Sequence, residues 1–342
     1  MKLIETFGRF FLGLVLAWIS VAAFAHHSNA EYDRSVLHEV EGEILSVRWR
    51  NPHVAFEVAV TDEDGNEEVW DFEALAVSAL NRRAVTGDQL QAGDRVRVAG
   101  FASSRREHHM HAEHLLLPGD VELLTGFSRE PRWSDNAIGT ESGVLDPAQV
   151  AAAGGDGIFR VWSRDTGTWY FRSPDQYPVT AEAAEAAADW NDLEDNPLLR
   201  CEPPGMPALM GNPYPMEFVD RGDVIEMRFE EFDAVREIHL DGGVPSDRSH
   251  SPMGYSTGQW EGSTLVVSTS RINWPFFNRV GIRQTEAVEI RERFQLADSD
   301  ETLLYELTVT DPGTLTEPYV WNGRWIWRPG EVVNRYDCTL EE

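Results

Sequence analysis

Lysine is all but missing from this chain: Lys2 is the only one in 342 residues. Schiff-base chemistry and a phosphate-loop lysine are therefore excluded for everything that follows it. Positive charge as a whole is scarce, with 29 Lys and Arg against 58 Asp and Glu and a net charge of −29. Such an excess repels nucleic acid and anionic membrane surfaces, and it favours solubility and the attraction of cations. Beyond residue 25 no apolar run approaches the ~20 residues needed to span a bilayer, so no transmembrane segment is expected there. No Gly-x-Ser-x-Gly elbow, dinucleotide fingerprint or Cys-x-x-Cys pair occurs, which removes the commonest signatures of hydrolases, nicotinamide enzymes and thiol redox proteins.

What is present begins with a leader. Lys2 and Arg9 precede an apolar run from Phe10 to Phe24, closed by Ala23-Phe24-Ala25. This pattern reads as a signal peptide over 1–25 and predicts a periplasmic or secreted product. Cleavage after Ala25 would make His26 the first residue and His27 the second, setting an α-amine beside two imidazoles. Three such nitrogens suit a borderline divalent metal, copper above all. Cys201 and Cys338 are the only cysteines, and an isolated pair in an exported chain points to a disulfide; a thiolate metal site or two buried thiols are the alternatives.

The remainder reads as mainly β, in two units over 26–118 and 156–342 with a connection at 119–155. In the first, the β pattern runs from Glu39 onward, and Val54, Phe56, Val58 and Val60 then alternate with more polar residues, the period of a half-buried strand. Asp64-Gly65 marks a hairpin, and strands follow at Val69–Phe72, around Val96 and Val98, and at 107–117, with a short helix within 73–83. Five strands and one helix in this order predict a small OB-like barrel. The second unit opens at Ile158–Trp162. It carries an alanine-rich helix near 181–190, capped by Thr180, and then about seven strand candidates between 223 and 327. That spacing predicts a larger antiparallel β-barrel of lipocalin type or a sandwich.

Histidine is concentrated in His108-His109-Met110-His111-Ala112-Glu113-His114. On a strand alternate residues share a face, so His109, His111 and Glu113 line one side, opposite His108, Met110 and His114. Two imidazoles at that spacing can hold one metal, with Glu113 as a further ligand or a support. An exposed polar edge strand is the competing reading. His53, in Asn51-Pro52-His53, is a third imidazole for a site shared with His26 and His27. Binding of copper or zinc through neutral imidazoles is expected to fail below about pH 6. In the second unit Glu230, Arg236, His239, Glu289 and Trp325 are candidates for a ligand site, should their face look into the barrel.

Three stretches, His26-His27-Ser28, Trp49-Arg50-Asn51-Pro52-His53 and Gly93-Asp94-Arg95-Val96-Arg97-Val98, resemble an uncharacterised family of secreted bacterial proteins. The second unit is similar to a bacterial domain without assigned function. That likeness rests on Arg200 to Pro207, Met253-Gly254-Tyr255-Ser256, Trp260 to Val267 and Tyr336-Asp337-Cys338. The resemblances imply the two-unit division and the cysteine pairing, and no activity. The leading expectation is an exported metal-binding protein whose second unit takes a small apolar ligand or a partner. A periplasmic enzyme acting on a hydrophobic molecule in the second barrel is one alternative, and a structural or assembly module is the other.

Overall fold

The computed structural model describes residues 31–61, 64–140, 157–165, 176–245, 247–298 and 300–339. The first five strands are β1 (Tyr32–Arg48), β2 (Ala55–Thr61), β3 (Glu67–Glu73), β4 (Arg95–Ser103) and β5 (His109–Leu117), with helix α1 (Val77–Asn81) between β3 and β4. β1 is long enough to pair with both β4 and β2, and a parallel β3–β5 pairing closes the ring. This is the small barrel expected from the alternation. Phe56, Val58, Phe72, Val96, Val98 and Met110 fill it, and Leu80 of α1 packs into the same core. At Gly42 of β1 a Cβ would lie 2.1 Å from the Ala59 carbonyl oxygen, so only glycine permits the close strand approach there.

Within 119–155, which had read as a connection, β6 (Val121–Leu124) and β7 (Ala137–Ile138) extend the sheet beyond β5. A tight turn at Gly119 and Asp120, both at positive φ, folds β6 back onto β5.

The second barrel has nine strands. β8 (Val161–Arg164) closes it against β16 (Tyr319–Trp327) and β9 (Met216–Asp220). β10 (Val224–Phe229), β11 (Val235–His239), β12 (Tyr255–Glu261), β13 (Thr264–Ser270), β14 (Glu289–Leu296) and β15 (Thr302–Thr310) complete it. All neighbours are antiparallel except β11 and β12, because residues 240–254 carry the chain to the opposite end of the barrel before β12 begins. β9 escaped the sequence pattern, since its five residues follow a proline-rich stretch. Helix α2 (Ala181–Ala188) is capped by Thr180, whose hydroxyl accepts the Ala183 N–H at 3.2 Å. No helix of the described residues is long and apolar enough to cross a membrane.

Behind β16 the chain returns to the first barrel. Asn51 pairs with Tyr336, Arg50 meets Asp337 at 3.0 Å, and Arg82 meets Glu331 at 2.9 Å. Cys201 and Cys338 form a disulfide across 137 residues of sequence, anchoring this returning segment. Cys201→Ser is expected to lower unfolding free energy by about 2–5 kcal/mol, because the bridge restricts so long a loop in the unfolded chain. Urea denaturation checks this, and an unchanged midpoint would contradict it.

Candidate metal centre

The histidine-rich segment supplies β5, and its neighbours decide what the imidazoles meet. Met110 and Ala112 point into the first barrel's core. His109 and His111 therefore face outward, yet both are buried. Across the parallel closure Glu73 stands opposite His111 in register. Tyr32, at the start of β1, covers both imidazoles: its ring lies 5.8 Å from that of His109 and 5.4 Å from that of His111. Glu31 is pinned beside it, its carbonyl accepting both the N–H and the hydroxyl of Ser104 at 2.8 Å.

Ligand atoms of Glu31, Glu73 and His109 all lie within 4.8 Å of one another, a spacing that one metal ion can bridge. The Tyr32 hydroxyl donates to Glu73 Oε2 at 2.8 Å and lies 2.8 Å from His109 Nε2. Burial, then the Glu73 and Glu31 carboxylates, push the phenol far above its ordinary range, and it remains a hydroxyl. Burial also raises the Glu73 carboxyl, but His53, His109 and Arg106 outweigh that and hold it ionised.

His53 approaches Glu73 and His111 from the loop before β2, near enough for their charges to act on it. Its Nδ1 donates to the Ala74 carbonyl at 3.1 Å, which leaves the ring lone pair on Nε2. Burial lowers its pKa, with Glu73 opposing and His111 reinforcing the shift, so the ring is neutral at pH 7. Asn51, two residues earlier, serves the junction instead: its side chain accepts the Val77 N–H at 3.0 Å and donates to the Arg335 carbonyl.

His111 is 2% exposed, and its Nε2 has no hydrogen-bond partner. It stacks on Phe127 at 5.2 Å, with Nδ1 3.2 Å from Glu113 Oε1. Glu113 accepts the Ser128 N–H at 2.8 Å through its other oxygen. Burial raises this carboxyl, while His111 and the Ser128 N–H pull it down further. Gly126 makes room for it, since a Cβ there would lie 2.4 Å from the Glu113 carboxyl carbon.

The structure thus brings His53, His109, His111 and Glu113 into one region, with Glu113 beside His111 and away from the Glu31–Glu73–His109 group. His26 and His27 lie outside the described residues. Two flanking histidines depart from simple alternation. His108 precedes the strand at positive φ, stacks on Trp70 and meets Glu68 at 3.3 Å. A bulge opposite Ala99 and Gly100 inserts Glu113 as an extra residue, turning His114 away from the Met110 face. There His114 Nδ1 meets Glu122 at 2.8 Å. Sequence reasoning missed Glu31, Tyr32, Glu73 and Arg106. Glu73 was accessible in principle, because an OB-type closure sets the end of β3 beside the start of β5.

The second-barrel candidates do not converge. Arg236 and Trp325 are interior, Glu289 is exposed, and His239 stacks on Tyr255 near the rim at 4.6 Å. Glu230 lies past the end of β10, where the chain leaves the strand. It is fully buried by the returning segment, and one of its oxygens accepts both N–H groups offered by Asn334. Burial raises its pKa against the opposing Asn334 contacts. A carboxyl raised above its unfolded value near 4.3 supports folding below that pH and loses that support as pH rises through the folded pKa. Glu230→Gln is therefore expected to raise the melting temperature at pH 8, with the gain vanishing below about pH 4. Melting curves across that range check it; a destabilised variant at pH 8 would contradict it.

The interior of the second barrel is filled by side chains, Trp162, Phe218, Phe294 and Trp325 among them. An apolar hollow of about 520 Å³ lies outside it, between α2 and the 280–282 loop, lined by Tyr177, Val179, Ala184, Ala187, Trp190 and Ile282. None of the five ligand candidates lines it.

Residues 15–111 match a family of unknown function, DUF6152. The matched span ends at His111 and takes in His26, His27, His53 and His109. No curated protein matches the chain.

Proposed function

We propose that this chain is an exported protein that binds copper or zinc through imidazoles gathered on the outer face of its first barrel. His53, His109 and His111 supply the nitrogen donors, with Glu73 or Glu31 as a carboxylate ligand. The observation that carries this reading is His111, a buried imidazole whose Nε2 lacks a hydrogen bond while Nδ1 meets Glu113, beside two further imidazoles and an ionised glutamate. Buried polar groups are normally satisfied, and an orphan in such company is best explained by an absent ligand. Bound metal would supply a Lewis-acidic or redox-active centre; the chain's part is to present neutral nitrogens and exclude bulk water.

Export is supported by the leader pattern and by the disulfide. His26 stands five residues before Glu31. At roughly 3.5 Å per residue its amine would be within about 18 Å of the site, so the processed terminus can add donors. Native mass spectrometry of the exported protein tests the reading. The account expects a chain beginning at His26 that retains one copper or zinc ion. A chain that stays metal-free after incubation with both metals would refute it.

The second barrel's part in this proposal is to hold a small apolar molecule in the hollow beside Trp190, a volume typical of ligand sites. Quenching of tryptophan emission by an apolar probe, lost in Trp190→Ala, is the expected result. Equal quenching in the variant would remove that assignment.

A further inference from the structure

We propose that Arg106 is the specificity-determining residue of this centre, closing it to hard, oxygen-seeking cations while leaving it open to metals that imidazoles bind. The inference rests on the metal-binding reading above. Glu31, Glu73 and His109 alone form a donor set, two carboxylates and one imidazole, that manganese or calcium would accept as readily as zinc. The carboxylates are not free to act so. The Arg106 guanidinium ion-pairs with Glu31, stands 3.5 Å from Glu73 Oε1, and donates to the Tyr32 hydroxyl at 3.3 Å.

The guanidinium is held there by the β4–β5 turn. The N–H groups of Arg105 and Arg106 both donate to Ser103 Oγ, and His108 closes the turn at positive φ. Arginine keeps its charge at any working pH. A hard cation must therefore displace a fixed guanidinium or sit beside it, and its whole reward is the carboxylates. Copper or zinc gains bonds to His53, His109 and His111, which hard cations form weakly. One positive side chain thus turns a general cation site into one selective for imidazole-seeking metals.

The test compares the wild type with Arg106→Gln and Arg106→Lys. Mn²⁺ binding is followed by the loss of the free-ion paramagnetic resonance signal, and Zn²⁺ binding by chelator competition. In the wild type, Zn²⁺ should bind at least about a hundredfold more tightly than Mn²⁺. Arg106→Gln should gain about tenfold or more in Mn²⁺ affinity, whereas Arg106→Lys keeps the exclusion because it keeps the charge. An unchanged Mn²⁺ affinity in Arg106→Gln, or a wild type that binds both ions equally, overturns the proposal. A wild type that binds neither ion refutes the metal site itself and this role with it. Arg106→Met gives an independent check should Arg106→Gln not fold. It removes the charge and keeps a long side chain, so Mn²⁺ affinity should again rise about tenfold, and no rise overturns the inference.

Discussion

His111→Phe abolishes tight Zn²⁺ binding, a loss of about a hundredfold or more, while the metal-free protein melts no lower than the wild type. The two halves of this expectation come from the same observation. The His111 ring is already packed as an aromatic, stacked on Phe127 and edge-on to Tyr32. Phenylalanine preserves those contacts and removes a buried Nε2 that nothing satisfies, at the cost of the Nδ1 contact with Glu113. An unmet buried polar group costs about 1–3 kcal/mol, so its removal offsets the extra volume of the new ring. A histidine kept for packing alone would tolerate the change without effect on metal. His114→Phe on the same strand is the control: it breaks the contact with Glu122, lowers stability and leaves Zn²⁺ affinity unchanged. Calorimetric titration and melting of both variants measure the pattern. Unaltered Zn²⁺ affinity in His111→Phe would remove His111 from the site.

Arg236→Leu destabilises the protein by about 3–5 kcal/mol, the largest effect expected of any single substitution in the second barrel. Arg236 is 1% exposed inside that barrel and forms a two-pronged ion pair with Glu292, which is fully buried. Its Nε donates to Ser256 at 3.0 Å and its Nη2 to Thr269 at 2.7 Å, while the Tyr305 hydroxyl donates to Glu292 at 2.7 Å. The network spans β11 to β15, and its groups were taken from water together. Removing the cation strands an anion among Phe294, Tyr305 and Trp325, where no water replaces the lost partner. Changing both ends, Arg236→Leu with Glu292→Leu, is expected to cost less than Arg236→Leu alone, because no charge is then left unpaired. Denaturant titration of the two variants decides it; a double variant less stable than the single would show that the pair holds the barrel by more than charge compensation.

Much of this architecture was legible in the residues. Period-2 runs such as Val54 to Val60 located most strands of both barrels, β9 excepted, and the order of five strands around one helix gave the closure of the first. The shared outward face of His109 and His111 followed from the same alternation. Other features depend on long-range pairing that no local pattern encodes. The β3–β5 contact, which brings Glu73 to His111, joins residues 38 apart in sequence. The bulge that turns His114 away is set by pairing with β4. Arg106 reads locally as one more charged residue of a turn, and only the fold reveals the carboxylates it faces. In the second barrel the informative signal lay elsewhere on β14. Glu289 stands out in the sequence as a charge on a strand, yet Glu292 falls between Ile290 and Phe294 on the apolar face. An acidic residue in that register needs a buried partner, and Arg236 provides it.

Anomalous diffraction at the zinc or copper absorption edge, from crystals of the metal-loaded exported protein, tests the central claim most directly. The account predicts a single strong peak on the outer face of the first barrel, within bonding distance of nitrogens from His53, His109 and His111. A peak bound only by surface carboxylates, or one located in the second barrel, would contradict it.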